Sequence, residues 1–268
     1  MDFSDTKQPI FIRHDGAIGY LLLNRPRKKN ALSEKMWAQI PDALACLNRD
    51  KSVRVIVLAS STEGVFSAGA DIAELEVIAT NPMRRESNRS AIRDAQRALA
   101  ESQKPTIAQI SGPCMGGGCG LALHCDMRFA TSDARFGITP AKLGIIYPLS
   151  DTKRLMDLVG PAKTKSLLFT GRTAGAEEAL AMGMIDEIFE ARKLEEETAA
   201  MAKQIAAVSQ FSVRNMKKII HNILGGQSDD DETTAETFKK AQEGEDAAEG
   251  IRAFLEKRPA QFTWNGDE

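Results

Sequence analysis

The sequence predicts an α/β protein in which a core of parallel strands and helices is followed by a helical C-terminal region. Over the first two thirds of the chain, short apolar runs of β-forming residues alternate with amphipathic helical patterns. This alternation is typical of parallel strand pairing. Beyond residue 189 the pattern is helical only, and no internal repeat or low-complexity linker divides the chain.

The hydrophobic patterns place the elements in order along the chain. We predict a hairpin over 10–23 around the Asp15–Gly16 turn. Ser33 is expected to cap a helix that runs to about residue 48, with apolar residues at helical spacing. The other predicted strands lie at 53–59, 105–110, 126–130, 134–137 and 185–189. The other predicted helices lie at 83–101, 153–159, 162–169, 176–182, 193–208, 213–224, 233–242 and 246–256.

The composition limits the class of protein. The chain has 268 residues and a formal net charge of -2, which suits one sizeable core. The near-neutral balance argues against nucleic acid or an anionic membrane as a partner. The N-terminal residues show no targeting pattern and no apolar run is long enough to span a membrane, so we expect a cytoplasmic protein. The four cysteines lack a C-x-x-C spacing, so we expect buried thiols and no metal site.

A glycine-rich stretch at 111–120 is the most informative segment. It follows a short strand pattern and precedes Leu121-Ala122-Leu123, which can begin a buried helix. Backbone N–H groups at such a helix start bind a phosphate or an oxyanion. The glycine spacing does not match a dinucleotide fingerprint, a P-loop lysine is missing, and Ser111 does not lie in G-x-S-x-G. We expect the nearby His124 to be structural, because adjacent residues do not converge as a triad.

A second run of small residues, at 65–71, also leads into an apparent helix start. Two such segments can form a split oxyanion hole, with one N–H from Ala68 and one from Gly117. This pair of donors would stabilise the enolate oxygen of a thioester. Alternatively, the glycines only let a helix pack closely against a sheet. The pattern by itself leaves both interpretations open.

Six segments in order resemble the crotonase (enoyl-CoA hydratase/isomerase) superfamily over nearly the whole chain. They lie at 30–32, 65–72, 112–118, 125–126, 167–172 and 254–258. The specific part is Ser-Ala-Gly-Ala-Asp in the second segment together with Gly-Gly-Gly in the third. The resemblance implies an α/β fold of the ClpP/crotonase type, with a spiral of ββα units over residues 1–200. It also implies a helical region over 201–268 that forms a homotrimer or a dimer of trimers.

The same resemblance implies an acyl-CoA thioester as substrate and no cofactor, because CoA is part of the substrate. The thioester oxygen is expected between the Ala68 and Gly117 amides. Lys28 and Lys257 are candidate partners for the CoA phosphates, with Phe254 packed near them. The adenine is expected to lie against Phe66, Ala70 and Ile72, mainly through backbone. The residues expected to hold CoA are Lys28, Phe66, Ala70, Asp71, Ile72, Phe254 and Lys257.

The sequence departs from hydratases of the family at the two positions where they carry glutamates. Gly120 and Pro140 stand there, and neither can activate water or deliver a proton. Dehalogenase and dienoyl-CoA isomerase members carry an aspartate at a position that is Pro148 here. The usual forms of these mechanisms are therefore not expected.

The loop at 136–147 resembles that of methylmalonyl-CoA decarboxylase members, which share a Thr-Pro and a Tyr at this spacing. Loss of CO2 from a malonyl-type thioester needs no general base. It needs the carboxylate held out of the thioester plane and an oxyanion hole for the enolate. Thr139 and Tyr147 are uncharged donors that can orient such a carboxylate. Alternatively, Tyr147 is a core tyrosine and Thr139 a turn residue before proline.

Two other functions stay open. Asp151 is expected to cap the helix after this loop, but it could instead serve a hydratase or isomerase whose acid/base groups are displaced. The protein could also be a non-catalytic CoA-binding scaffold. The two oxyanion-hole segments argue against a scaffold, which has no need of them.

Overall fold

The computed structural model describes residues 3–266, which form two β-sheets and ten α-helices. The strands are β1 (Ile10–Asp15), β2 (Ile18–Leu23), β3 (Val55–Ser60), β4 (Thr106–Ile110), β5 (Pro113–Met115), β6 (Met127–Thr131), β7 (Arg135–Gly137), β8 (Thr173–Gly175) and β9 (Glu187–Phe189). The helices are α1 (Glu34–Arg49), α2 (Ile72–Thr80), α3 (Pro82–Ala100), α4 (Gly117–Leu123), α5 (Leu149–Thr170), α6 (Ala176–Ala181), α7 (Leu194–Ala207), α8 (Gln210–Leu224), α9 (Glu232–Glu243) and α10 (Glu245–Glu256). Gly160, at φ 73° and ψ 166°, divides α5 into two helical segments, as the sequence predicts. Short 3-10 turns lie at Pro26–Lys28 and Pro140–Leu143.

The larger sheet has six strands in the order β1-β2-β3-β4-β6-β9. β1 and β2 are antiparallel, and all other neighbours are parallel. Gly16, at φ 55°, makes the tight turn between β1 and β2 that the Asp-Gly pattern predicts. Parallel neighbouring strands need a crossover connection. The connection from β2 to β3 contains α1, and the connection from β3 to β4 contains α3.

The smaller sheet has three strands in the order β5-β7-β8. After β3 the chain passes repeatedly between the two sheets, from β4 to β5, from β6 to β7, and from β8 to β9, while β7 and β8 both lie in the smaller sheet. This repeated pairing confirms the predicted crotonase-type α/β spiral. The sequence did not reveal β5 and β8, because each is only three residues long and β5 lies inside the glycine-rich stretch.

The larger sheet is buried on both faces. On β2, Leu21 and Leu23 join the hydrophobic cluster under α1 and α3, whereas Tyr20 and Leu22 join the cluster under α7. Successive side chains of a strand point to opposite faces, so both sets must be apolar. This is why β2 is a continuous apolar run rather than an alternating one.

The predicted helical C-terminal region is present as α8, α9 and α10. α7 packs on β2, β3 and β4, so the predicted boundary after residue 200 falls inside a helix that covers the sheet. Within residues 3–266, no helix is both long enough and apolar enough to cross a membrane. The C-terminal helices leave large apolar side chains exposed, which are Met216, Ile220, Ile223, Leu224, Phe238, Ile251, Phe254 and Leu255.

Gly112, between β4 and β5, provides a test of the backbone at the glycine-rich stretch. It adopts φ 62°, and an added Cβ would collide with the carbonyl oxygen of Gly64. We expect Gly112→Ala to destabilise the fold by about 2–4 kcal/mol, because left-handed strain and the clash add together. Gly16→Ala is the control, since nothing lies within 4 Å of its added Cβ, and it should lose about 1–2 kcal/mol. Equal losses in denaturant unfolding would contradict the steric argument.

Candidate active site

The two runs of small residues, distant in sequence, lie side by side. Ser67 and Cys114 form an isolated parallel bridge, and the Met115 amide donates to the Ser67 carbonyl at 2.9 Å. Gly69 and Gly116 follow these contacts with φ 95° and 48°. A Cβ added at Gly116 would lie 3.8 Å from the Gly69 Cα. The two segments therefore end at one place, as a split oxyanion hole requires.

The free amide of the first segment is not the one predicted. The Ala68 amide donates to the Lys29 carbonyl at 2.9 Å, so it is not available to a substrate oxygen and the prediction for Ala68 is wrong. Further along, the Leu32 amide donates to the Gly69 carbonyl, and the Asp71 amide donates to the Leu32 carbonyl. The Ala70 amide between them has no acceptor among residues 3–266 and is the candidate donor.

Gly117 is the candidate donor of the second segment. It is the first residue of α4, and the N–H of a first helical residue has no partner within the helix. A Cβ at Gly117 would lie 2.8 Å from the Trp37 ring and 3.2 Å from the Leu32 side chain. The glycine run is open to two interpretations, an oxyanion donor or close packing of a helix. Gly117 combines both, because its amide has no partner within the helix and its Cα packs against Trp37 and Leu32.

Asn30 organises the loop beside these amides, a role that the sequence did not reveal. Its side-chain amide donates to Ser60 Oγ at 2.6 Å and to the Phe66 carbonyl at 3.1 Å. Its Oδ1 accepts from the Arg25 amide at 2.7 Å. The Ser67 hydroxyl donates to the Asn30 carbonyl at 2.8 Å. A single asparagine in a polar loop gives no signal of such a position, because its partners come from distant segments.

Two residues predicted to contact CoA are used inside the protein. The Asp71 carboxylate caps α2 by accepting from the Ala73 amide and pairs with Arg25 at 2.9 Å. The hydrogen bond from Arg25 lowers the pKa of Asp71. Phe66 is fully buried, and its amide donates to the Pro113 carbonyl. The buried Phe66 side chain presents no surface to a ligand, and its contact with the adenine stays a prediction of the resemblance. Asp71 fixes the start of α2.

The other residues predicted to bind CoA are exposed. Lys28 ends a 3-10 turn and lies close enough to Asp71 to lower its pKa. Ile72, the first residue of α2, is 62% exposed. Phe254 is 83% exposed, and Lys257 follows it at the end of α10, which packs against α9. The core therefore carries Lys28 and the C-terminal helices carry Lys257, and their joint action on CoA stays a prediction.

The loop after β7 places its two predicted donors differently. Thr139 is partly exposed, and its carbonyl accepts from the Lys142 amide. Tyr147 packs against the core, and its hydroxyl is buried without a partner in the described part of the chain. Burial raises the pKa of Tyr147 well above its ordinary value. The Tyr147 hydroxyl therefore keeps its proton and is available to donate a hydrogen bond.

The prediction that Asp151 caps a helix is wrong, because α5 already begins at Leu149 and Pro148 stands at the cap position. The side chain lies in the first turn and is 1% exposed. Burial raises the pKa of Asp151 to about 7, although a helix N-terminus favours a carboxylate. A Cβ added at Gly120 would lie 3.1 and 3.4 Å from its two oxygens. A buried acid therefore stands beside the position where the hydratases carry a glutamate.

His124 has the predicted structural role. Its Nδ1 lies 2.7 Å from the Gly120 carbonyl, and burial lowers the pKa of His124 to about 4. The ring is therefore neutral and donates from Nδ1 to this carbonyl. The same nitrogen lies 3.5 Å from Asp151 Oδ1. The cysteines are free thiols, as predicted, and three of them are buried, Cys114, Cys119 and Cys125.

Known proteins are similar to this chain in sequence and in fold. The model of the family described as enoyl-CoA hydratase/isomerase matches residues 13–265. The crotonyl-CoA hydratase of Syntrophomonas wolfei is 34% identical over 256 residues, which are 94% of this chain and 97% of the relative. The short-chain-enoyl-CoA hydratase of Clostridium acetobutylicum is 32% identical over 254 residues, 93% and 95% of the two chains.

A solved structure extends the likeness to three dimensions. A protein from Hyphomonas neptunium, described at the level of the enoyl-CoA hydratase/isomerase family, has a TM-score of 0.94 and is 41% identical. The match covers 97% of this chain and 99% of that one. Because the family model, the relatives and the fold all agree over nearly the full length, the chain belongs to the enoyl-CoA hydratase/isomerase family of the crotonase superfamily.

Proposed function

We propose that the protein acts on a malonyl-type acyl-CoA thioester, releases CO2 and stabilises the resulting enolate. The enolate oxygen would bind between the Ala70 and Gly117 amides. Such preorganised donors act where negative charge develops, in a site that excludes water. This chemistry suits the site because Gly120 and Pro140 cannot act as the pair of acids that hydration requires.

The observation that carries the proposal is the buried, unpartnered hydroxyl of Tyr147. A buried donor without an acceptor is unfavourable, and a substrate carboxylate would provide one. A neutral donor can orient a carboxylate without the strong ground-state stabilisation that a cation would give, and only differential stabilisation accelerates a reaction. Thr139, on the same loop, is the second candidate for this contact.

Tyr147→Phe tests the role of this hydroxyl. With malonyl-CoA and methylmalonyl-CoA as substrates, we expect CO2 release to fall about 10- to 100-fold, because a hydrogen bond to a charged group is lost. Stability should change little or increase slightly, since the hydroxyl has no partner in the protein. Crotonyl-CoA is the third substrate of the panel. Hydration of crotonyl-CoA with no CO2 release from the other two would contradict decarboxylation.

A second candidate function is hydration or isomerisation of an enoyl-CoA with Asp151 as acid and base. The position of Asp151 beside Gly120 supports it, as do the names of the two hydratase relatives. Loss of crotonyl-CoA turnover in Asp151→Asn, without CO2 chemistry in the wild type, would favour this candidate over the first.

A trimeric assembly is also part of the proposal. On α8, Met216, Ile220 and Ile223 are each more than half exposed and recur at the spacing of one helix face. An exposed apolar stripe of this kind supports association with further copies of the chain. The acyl-CoA substrate and the trimer together are the partners that we propose.

A further inference from the structure

The inner side of α4 faces a group of polar atoms without hydrogen-bond partners. Among the described residues, this group comprises both amide atoms of Gln96, the Tyr147 hydroxyl and Asp151 Oδ1. Gln96 and Asp151 are each 1% exposed. Buried polar atoms are normally paired. These atoms come from three separate elements, which are α3, the loop after β7 and α5. Packing alone does not explain why so many unpaired polar atoms lie close together.

Two of these side chains, Gln96 and Asp151, meet at Gly120. A Cβ added there would lie 2.6 Å from Gln96 Nε2 and 3.1 Å from Asp151 Oδ1. The missing side chain therefore leaves room that residues of two other helices occupy. Gly120 and Gly117 are three residues apart on α4, which places them on the same face of the helix. The Asp151 carboxyl thus lies within one helical turn of a candidate oxyanion donor.

The charge around Asp151 is not compensated by a cation. Within residues 3–266, its only ion-pair neighbour is His124, and that ring is neutral because burial lowers its pKa to about 4, with Arg154 acting in the same direction. Burial therefore dominates and raises the pKa of Asp151 to about 7, and the Gln96 amide opposes it only partly. The titratable groups around the cluster are His124 and Cys119 of α4, Tyr147 of the loop and Arg154 of α5.

We propose that Asp151 is the acid–base residue of this site and that it delivers a proton to the α-carbon of the enolate. This assignment rests on the enolate chemistry proposed above. When CO2 leaves, the bond between the carboxylate and the α-carbon breaks, and its electron pair forms the enolate. The Asp151 O–H bond then breaks and its proton forms the new C–H bond. The Asp151 carboxylate that remains takes up a proton from water.

Gln96 and His124 are positioning residues in this arrangement. Gln96 flanks the carboxyl across the space beside Gly120. Its amide faces Asp151 without completing a hydrogen bond of good geometry, and this contact favours the ionised form of Asp151. His124 lies 3.5 Å from the same carboxyl, while its hydrogen bond to the Gly120 carbonyl holds the ring in place. The carboxyl is thus confined between two neutral side chains, which keep it inside the site without neutralising it.

The test is hydrogen exchange at the α-carbon of butyryl-CoA in D2O, followed by mass spectrometry. Exchange needs the oxyanion hole and an acid–base group but no leaving carboxylate, so it does not depend on decarboxylation. We expect the wild type to exchange, at a rate that rises through about pH 7 and then levels off, because ionised Asp151 removes the proton. In Asp151→Asn the exchange rate should fall by about 100-fold or more. Asp157→Asn, a change of the same kind on the same helix, should exchange as the wild type does.

Gln96→Leu separates a role in proton transfer from a role in folding. Because Gln96 favours the carboxylate, its removal should move the midpoint of the pH profile upward, which a purely structural residue would not do. Equal exchange by the wild type and Asp151→Asn, or no exchange by the wild type, overturns the assignment. If exchange depends on Asp151 but no malonyl-type thioester releases CO2, the assignment of Asp151 stands and the decarboxylase proposal is wrong. Thermal unfolding and CoA binding confirm that each variant is folded.

Discussion

Replacing Ala70 by proline is expected to lower turnover of the accepted acyl-CoA by about 10²–10³-fold, as is usual when one oxyanion donor is lost. Proline has no N–H, and the Ala70 amide has no acceptor among the described residues, so the change removes a donor that the fold itself does not use. The neighbouring contacts, from the Leu32 amide to the Gly69 carbonyl and from the Asp71 amide to the Leu32 carbonyl, do not involve it.

Ala68→Pro is the matched control, two residues away in the same segment. The Ala68 amide donates to the Lys29 carbonyl, so its loss should appear first as a decrease in stability of about 1 kcal/mol. Steady-state kinetics and denaturant unfolding of both variants measure the difference. Full turnover in Ala70→Pro would exclude the Ala70 amide as the donor. A turnover defect confined to Ala68→Pro would identify the Ala68 amide as the donor instead.

Asp151→Asn is expected to change how the stability of the protein depends on pH. Burial raises the pKa of Asp151 from 3.8 to about 7. Between these values the unfolded chain releases the proton while the native protein retains it, so wild-type stability falls as pH rises through this window and the loss is complete above it. Asparagine does not titrate. The stability of the variant relative to the wild type should therefore increase by up to about 4 kcal/mol from pH 4 to pH 8.

The opposite titration of His124 makes the difference between the two proteins more informative than either curve. Burial lowers the pKa of His124 to about 4, so the native state loses stability as pH falls through the range from 6.5 to 4. His124 is present in both proteins, but it lies 3.5 Å from Asp151 Oδ1, so the two residues are coupled below about pH 6.5. Above that pH the ring is neutral in both the native and the unfolded state, and the difference reports the titration of Asp151. Urea unfolding at intervals from pH 4.5 to pH 8 gives the measurement. A constant difference across that range would mean that Asp151 titrates as an ordinary carboxyl.

Much of the architecture is predictable from hydrophobic periodicity. The continuous apolar run of β2 indicates a strand buried on both faces, and the stripe in α1 indicates a helix covering the sheet. Predictions fail where a residue type has two local uses. Asp151 resembles a helix cap, but Pro148 already stands at the cap position of α5, and the carboxyl turns inward. β5 is missed because three residues beside glycines carry no strand signal.

The sequence by itself determines the family, the two segments that can form an oxyanion hole and the absence of both hydratase glutamates, because these depend on residue identity and spacing. It also determines the order of strands and helices, since periodicity is local. The tertiary structure is needed to show that the free amide belongs to Ala70 and not to Ala68. The Ala68 amide donates to the Lys29 carbonyl, which comes from another segment of the chain. The tertiary structure also decides that Asp151 stands beside Gly120. Hydrogen-bond competition and loss of hydration depend on neighbours distant in the chain, and no local pattern encodes them.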